Sequence, residues 1–450
     1  MRNSRESSGA PSRRPLRVGL AALVALVGVA LAACLAPRPR TGAADARESV
    51  TRVATSVVRI ALATSAAEGT LDADGPWRIL GTDGRAVLAH ARAGQRYQIA
   101  RHGRALAATP TAGGFPASSA TGVLVARPES PEGTIVWNGR RYRGELTVTA
   151  TNEGLLVVNR LGMEDYLRGV VPREVGSLAP VDRAAIEAQA VAARSYAHSR
   201  LGPARARAYD LSAGVANQVY GGADAERPAS DAAVAATEGQ VLLYGGRVVD
   251  AAYHSTCGGT TAEPSEVWQE QVTQPYLRRV SDYDPRTGRA YCSISPRYEW
   301  RRSFDGGALR TSVTRYLGSL PSAGGRAVGA VRSVRVARLA PSGRVAELVI
   351  ATDGGPVLVR ANQIRSALRT AGGELLNSTY FTVEAMTVGA DGQVAQLTLR
   401  GSGNGHGVGM CQWGAVGRAR AGHDYRAILA AYYPGTTLGY VGGNGEGYSR

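Results

Sequence analysis

Ala184-Ala185-Ile186-Glu187-Ala188-Gln189-Ala190-Val191-Ala192-Ala193-Arg194-Ser195-Tyr196-Ala197-His198-Ser199 is the stretch on which the fold class turns. It is rich in Ala, the best helix former, and holds neither Gly nor Pro, so it reads as a helix. Pro180 and Asp182 precede it, with Asp182 where an N-cap belongs. Glu187, Ala190, Val191 and Arg194 recur at three- and four-residue spacing and share one face.

Strand patterns flank this helix on both sides. Val57–Leu62, Tyr97–Ile99, Thr134–Trp137 and Tyr142–Val148 are short apolar or alternating runs, and Asn138-Gly139 is a hairpin turn signal. Leu155–Asn159 reads as a buried strand, and Met163–Leu167 as one helical turn. Ser230–Thr237, Asn362–Arg369 and Tyr425–Tyr433 read as short helices. Val241–Tyr244 and Val248–Tyr253 flank Gly245-Gly246 as a hairpin, while Val334–Arg338 and Ala346–Ala351 flank a Ser342-Gly343 turn. The class is α+β: a mixed, β-rich domain with one Ala-rich helix and additional all-β segments.

Composition narrows the chemistry. The 450 residues include 57 Gly and only 6% aromatics, which fits a strand- and loop-rich globular chain. The net charge is +16, and every one of the 52 basic residues is Arg. A P-loop lysine, a Schiff-base lysine and a Ser-Lys dyad are thereby excluded. Such a basic chain suits anionic lipid or cell-wall polymer. Nucleic acid is the poorer partner, because no nucleic-acid module is present.

The N-terminus reads as an export leader. Arg2, Arg5, Arg13, Arg14 and Arg17 form a basic region, and Val18–Ala33 is uncharged and apolar. Leu31-Ala32-Ala33-Cys34 resembles a bacterial lipobox, which makes Cys34 the lipidation site and places the chain at the cell envelope, anchored to a membrane. Ser12-Arg13-Arg14 is a partial twin-Arg signal, and a transmembrane anchor is the other reading of the apolar run. The expected organisation is a lipoprotein signal peptide at 1–33, a linker at 34–52, a β-rich region at 53–151 and a core at 152–310. A β-rich insertion at 311–400, the C-terminal part of the core at 401–440 and a tail at 441–450 follow.

Six ordered motifs then decide the function. They are Tyr166-Leu167-Arg168-Gly169-Val170-Val171-Pro172-Arg173-Glu174, the segment Glu187–Tyr196, and Asn217-Gln218-Val219-Tyr220-Gly221-Gly222. Tyr253-His254-Ser255-Thr256-Cys257-Gly258-Gly259, Gly405-His406-Gly407-Val408-Gly409-Met410-Cys411-Gln412-Trp413-Gly414-Ala415 and Tyr432-Tyr433-Pro434-Gly435-Thr436 complete them. Together they resemble the stage II sporulation protein D / LytB amidase-enhancer family from about Val53 to Tyr440. The resemblance implies action on peptidoglycan. Members studied as enzymes are lytic transglycosylases on glycan strands lacking stem peptides; others are described only as enhancers of an amidase. A non-catalytic amidase activator, binding glycan or the amidase, is therefore the alternative function.

Glu174 matches the family's catalytic glutamate. A lytic transglycosylase works with one carboxyl group, which protonates the glycosidic oxygen and then takes the proton of the sugar's C6 hydroxyl. No water is activated, so the second carboxylate of ordinary glycosidases is dispensable. Val170, Val171, Pro172 and Val175 surround it with apolar groups that raise a carboxyl pKa. A surface carboxylate at a helix start is the other reading of the position. Glu187, Glu226 and Glu266 are rival carboxylates with structural roles expected.

Arg194, Tyr196, Gln218, Tyr220, His406 and Gln412 are the candidate substrate-binding residues, Arg194 being equally suited to bridge Glu187. Trp268, Trp300 and Trp413 are candidate sugar-stacking rings or core residues. The chemistry requires no cofactor. The resemblance leaves room for a structural zinc ion, since some members bind zinc through His and Cys near the Tyr253–Gly259 motif and many lack the cysteines. His254, Cys257, Cys292 and Cys411 are then the candidate ligands. A Cys257–Cys292 disulfide with Cys411 free is the alternative, and a Cys411/His406 nucleophilic pair is a third.

Overall fold

The computed structural model describes residues 56–441, apart from residues 177, 203–206, 215–216, 269–271, 273 and 321–327. The expected leader, the lipidation site Cys34, the linker at 34–52 and almost all of the tail lie outside the described residues. No helix among those described is long and apolar enough to cross a membrane.

Residues 57–162 form two sheets over one shared core. In the first, Val57–Ala66 pairs antiparallel with Gly154–Gly162. The sheet continues through Glu145–Thr151, Val123–Pro128 and Trp77–Leu80 to Val87–Ala91, and Leu211–Ser212 joins its other edge in parallel. The second sheet runs Arg140–Arg143, Thr134–Trp137, Gly69–Ala73, Tyr97–His102, Ala105–Pro110 and Ala117–Ser119. Period-two alternation sends Ile60, Leu124, Leu146 and Leu155 from one sheet, and Leu71, Ile99, Leu106 and Ile135 from the other, into a single buried cluster. Asn138-Gly139 makes the expected tight turn, both residues having positive φ between the paired Trp137 and Arg140.

The expected strand Tyr142–Val148 is two strands. Gly144, at φ 71°, breaks it, so Arg140–Arg143 stays in one sheet and Glu145–Thr151 enters the other. A Cβ at Gly144 would overlap the Arg160 carbonyl oxygen, which explains why only glycine turns this corner.

Two helices follow. Met163–Val175 runs for 13 residues rather than the single turn expected, with Pro172 accommodated inside it. The Ala-rich helix spans Arg183–His198. Its small side chains let neighbours approach from all sides, and it is buried nearly throughout. Ile186, Ala190, Ala193 and Ala197 pack into the β-sheet core. Ala185, Ala188, Val191 and Ala192 pack into a second core built by Val249, Ala251, Met410, Val416, Leu429 and Tyr432. The helix is thus the shared wall of two cores. Asp182 does not cap it through its side chain; its carboxylate accepts from Arg420 at 2.7 and 3.0 Å instead.

A two-residue parallel pair closes the second core. Tyr253 pairs with Met410 and His254 with Cys411, which sets two distant motifs side by side. Between them lies a third cluster, from Trp300 to Leu399, made of two three-stranded sheets and the helix Gly306–Gly318. That helix spans the expected boundary at 310/311, and the strand leading into it starts at Glu299.

Candidate functional site

Glu174 lies on the last turn of Met163–Val175, not at a helix start. The negative end of the helix dipole therefore faces its carboxylate, an arrangement that favours the neutral acid. The backbone N–H of Val219 donates to Oε1 at 2.8 Å. Burial pushes the carboxyl above its ordinary value, and the bonds from Val219, Tyr253 and Gln412 only partly oppose the shift.

The carboxyl opens into a cavity of about 510 Å³. Its lining comes from five of the six motifs: Arg173 and Glu174, Gln189, Asn217 and Val219, Tyr253 to Ser255, and Gly405 and His406 with Met410, Gln412 and Trp413; Asn404 joins them. Glu174 is the only carboxylate among the described lining residues, and Arg173 and Arg297 are exposed cations at its lip. A second cavity of about 590 Å³, lined in part by Arg140, Arg227 and the Arg141-paired Asp224, shares Arg173 and Val219 with the first. The Glu174 carboxyl lines the first cavity beside the two residues they share.

A hydrogen-bonded chain fixes this carboxyl from behind. The Tyr166 hydroxyl donates to Gln218 Oε1 at 2.9 Å. Gln218 Nε2 donates to the Tyr253 hydroxyl at 3.0 Å and to the Ala193 carbonyl at 3.2 Å. The Tyr253 hydroxyl is left to donate to Glu174. Gln412, on the other side, donates to Gln189 Oε1 at 3.3 Å and reaches the same carboxylate.

The expected binding residues separate into two groups. His406, Gln412 and Trp413 line the first cavity. Arg194, Gln218, Tyr220 and Tyr196 do not. Arg194 is fully buried and forks onto Glu164 at 2.6 and 2.8 Å, with the Gln240 carbonyl at 3.0 Å. Its expected partner Glu187 pairs with Arg183 instead. Gln218 is a buried member of the chain behind Glu174. The Tyr220 hydroxyl donates to Asn159 at 2.8 Å, and its ring packs on Gly169, Tyr142 and Tyr166, with only an edge on the second cavity. Tyr196 is covered by the Arg200 guanidinium, 3.4 Å from its ring centre. These four residues build the wall; they do not face the first cavity. Glu226 pairs with Arg143 and Arg168, and Glu266 with Arg279. Trp300 is in the third core, and Trp268 stands against His406.

Both histidines of the cavity are neutral. Burial pushes His254 well down, and burial with the Arg365 charge takes His406 to about 4. His406 Nδ1 accepts from the Val408 N–H at 3.1 Å, so its proton sits on Nε2.

The thiols do not follow expectation. Cys257, Cys292 and Cys411 are buried and free, with Cys257 and Cys292 sulfurs 3.4 Å apart and not bonded as a disulfide. The fourth group beside them is Asp282, not His254. His254 Nδ1 is engaged with the Val408 carbonyl at 3.1 Å, and its ring faces His406 and the cavity. Cys411 faces the backbone N–H groups of Cys257 and Gly414, and burial raises its thiol, so it is not a nucleophile paired with His406.

Tyr253, Val219 and Arg297 line the cavity and were not among the expected site residues. Tyr253 and Val219 stand inside quoted motifs, which was the available signal. Asp282 and Arg297 carried none.

Residues 151–244 match the profile of the Stage II sporulation protein family, and residues 286–409 match a domain of unknown function, DUF8618. An uncharacterized protein of Brachyspira hyodysenteriae is 30% identical over 304 residues, covering 67% of this chain and 73% of that protein. The amidase enhancer of Bacillus subtilis is 33% identical over 300 residues, 60% of this chain and 40% of that protein. The stage II sporulation protein D of the same organism is 27% identical over 297 residues, 62% of this chain and 75% of its own length.

Proposed function

The chain belongs to the stage II sporulation protein D / LytB amidase-enhancer family, and on that footing we propose that it is an exported peptidoglycan lytic transglycosylase with Glu174 as its single acid–base group. The observation that carries this reading is the solitary carboxyl of the cavity, half-buried and held toward its neutral form. A hydrolase of the ordinary two-carboxylate kind would need a partner that the first cavity's described lining lacks, and Asp224 of the neighbouring cavity is engaged by Arg141.

The proton account closes on one residue. Neutral Glu174 gives its proton to the glycosidic oxygen as the C1–O bond breaks. The resulting carboxylate takes the proton of the C6 hydroxyl as O6 bonds to C1, which closes a 1,6-anhydro ring. One bond breaks, one forms, water is not consumed, and the acid is regenerated. The Val219 N–H and the Tyr253 hydroxyl hold the carboxylate in place between the two transfers. Neutral His254 and His406 serve as hydrogen-bonding walls and not as rival acids.

The substrate is a glycan strand free of stem peptides. Its muramyl units then carry bare lactyl carboxylates, which suit Arg173 and Arg297 at the lip. Two adjoining cavities that share Arg173 and Val219 suit a polymer. Attachment through a lipidated Cys34 would keep the groove near the wall. The relative named amidase enhancer supports a second reading, in which the same groove binds glycan or a cell-wall amidase without cleaving. Mass spectrometry of purified denuded strands incubated with the protein separates the two. Anhydro-muramyl ends are expected; binding with no new ends leaves the enhancer.

A further inference from the structure

Three thiols and a carboxylate meet in the second core, away from the cavity. The Sγ atoms of Cys257, Cys292 and Cys411 and an oxygen of Asp282 all lie within 4.8 Å of one another, and all four residues are buried. They come from four separate segments of chain, so packing a core does not by itself require them to converge. A tetrahedral zinc site with bonds near 2.3 Å has sulfur–sulfur edges of about 3.8 Å. Here Cys257 Sγ is 3.4 Å from Cys292 Sγ and 3.4 Å from Asp282 Oδ2.

The surroundings fit bound thiolates. Asp282 uses Oδ1 for the Tyr432 hydroxyl at 2.6 Å and for Arg418 at 3.3 Å, which leaves Oδ2 directed at the sulfurs. That is the outer-shell arrangement that orients a ligating carboxylate. Backbone N–H groups face the sulfurs: Gly259 to Cys257 at 3.3 Å, and Cys257 and Gly414 to Cys411 at 3.1 and 3.2 Å. A Cβ on Gly414 would overlap the Asp282 carboxylate. The charge also needs an answer. Arg344 is buried with only its Nη2 bonded, to the Cys257 carbonyl at 2.8 Å, and its Nε and Nη1 have no partner. Three thiolates and a carboxylate around a divalent ion leave an excess of two negative charges, which the buried Arg344 and Arg418 balance.

We propose that Cys257, Cys292 and Cys411 through Sγ, and Asp282 through Oδ2, bind one zinc ion as a closed structural site. It is a clamp on the groove. Cys257 lies three residues after His254, and Cys411 immediately precedes Gln412, so the ion ties together the two segments that face Glu174. The proposal does not depend on the glycan reading.

The test is metal analysis of the untagged full chain purified without chelator, with cobalt substitution to read the ligands. About one zinc per chain is expected, with the Cys257, Cys292 and Cys411 thiols protected until chelator is added. The cobalt form should show thiolate charge-transfer absorption and tetrahedral ligand-field bands. Asp282→Asn and Cys292→Ser should lose stoichiometric metal, and His254→Ala should keep it. Tyr432→Phe removes only an outer-shell bond and should weaken zinc about 10–100-fold with the circular dichroism spectrum kept, which covers the case in which a ligand variant fails to fold. Protein that takes up no zinc even when it is supplied, or that carries a Cys257–Cys292 disulfide, overturns the proposal. So does loss of metal in His254→Ala with retention in Asp282→Asn.

Discussion

The Val219 amide donates to Glu174 Oε1 at 2.8 Å from a position 45 residues along the chain, and so fixes the one carboxyl of the cavity from the loop opposite its own helix. Glu174→Gln keeps the acceptor oxygen for this bond and removes the transferable proton. Anhydro-muramyl product release should fall by roughly 10²–10⁴-fold. Release at the parental rate would remove Glu174 from the mechanism.

The raised pKa of Glu174 makes a second, independent statement. Folding favours the protonated form, so the group contributes stability below its unfolded pKa and loses it as pH rises through the folded value. Glu174→Gln should match the parent in acid and equal or exceed its melting temperature in mild alkali. Thermal melts across pH check this; a variant less stable only in alkali would contradict it.

Tyr253→Phe deletes a hydrogen bond that lowers the Glu174 pKa. The pKa should rise further. Activity that needs the protonated acid should then persist to higher pH, moving the alkaline limb of the rate profile upward while the protein stays folded. A downward shift, or none, would remove the Tyr253 hydroxyl from contact with the acid.

Arg194→Met should act on stability and not on the substrate. The guanidinium is fully buried on Glu164 and two carbonyls, and its loss leaves those groups without a partner. Because Glu164 is partly exposed, we expect about 3 kcal/mol, at the lower end for breaking a buried pair. Denaturant melts report the loss, and the glycan affinity of the folded fraction should be unchanged.

Arg297→Ala should do the reverse. The residue is exposed at the lip of the cavity, so stability should hold within about 0.5 kcal/mol. Binding of denuded strands should weaken and become less sensitive to salt, because one screened charge contact is gone. Equal affinity at low salt would take Arg297 out of substrate binding.

Local features of this protein were legible from the chain alone. The α+β class, the Ala-rich helix and the Asn138-Gly139 and Gly245-Gly246 turns are written within a few residues each, by periodicity and by the need for positive φ. Glu174 stands in a motif quoted from the chain alone, and the fold sets it on the cavity lining.

What only tertiary structure decided is which groups meet. The extension of the first helix to Val175 put Glu174 at the negative end of a dipole, and Pro172 gave no sign that the helix would pass through it. Arg194 and Glu187 share a helix face, yet Glu164 from the neighbouring helix took the guanidinium, because a fully buried Arg needs a partner reachable inside the core. The spacing of His254 and Cys257 fixed how far apart they can be, not which way they point. The pairing of Tyr253–His254 with Met410–Cys411 turned His254 to the cavity and Cys257 to the core, where Asp282 arrived from a loop that no motif marks. Side-chain partners separated by tens or hundreds of residues follow from the packing of whole segments, and local sequence carries no record of that choice.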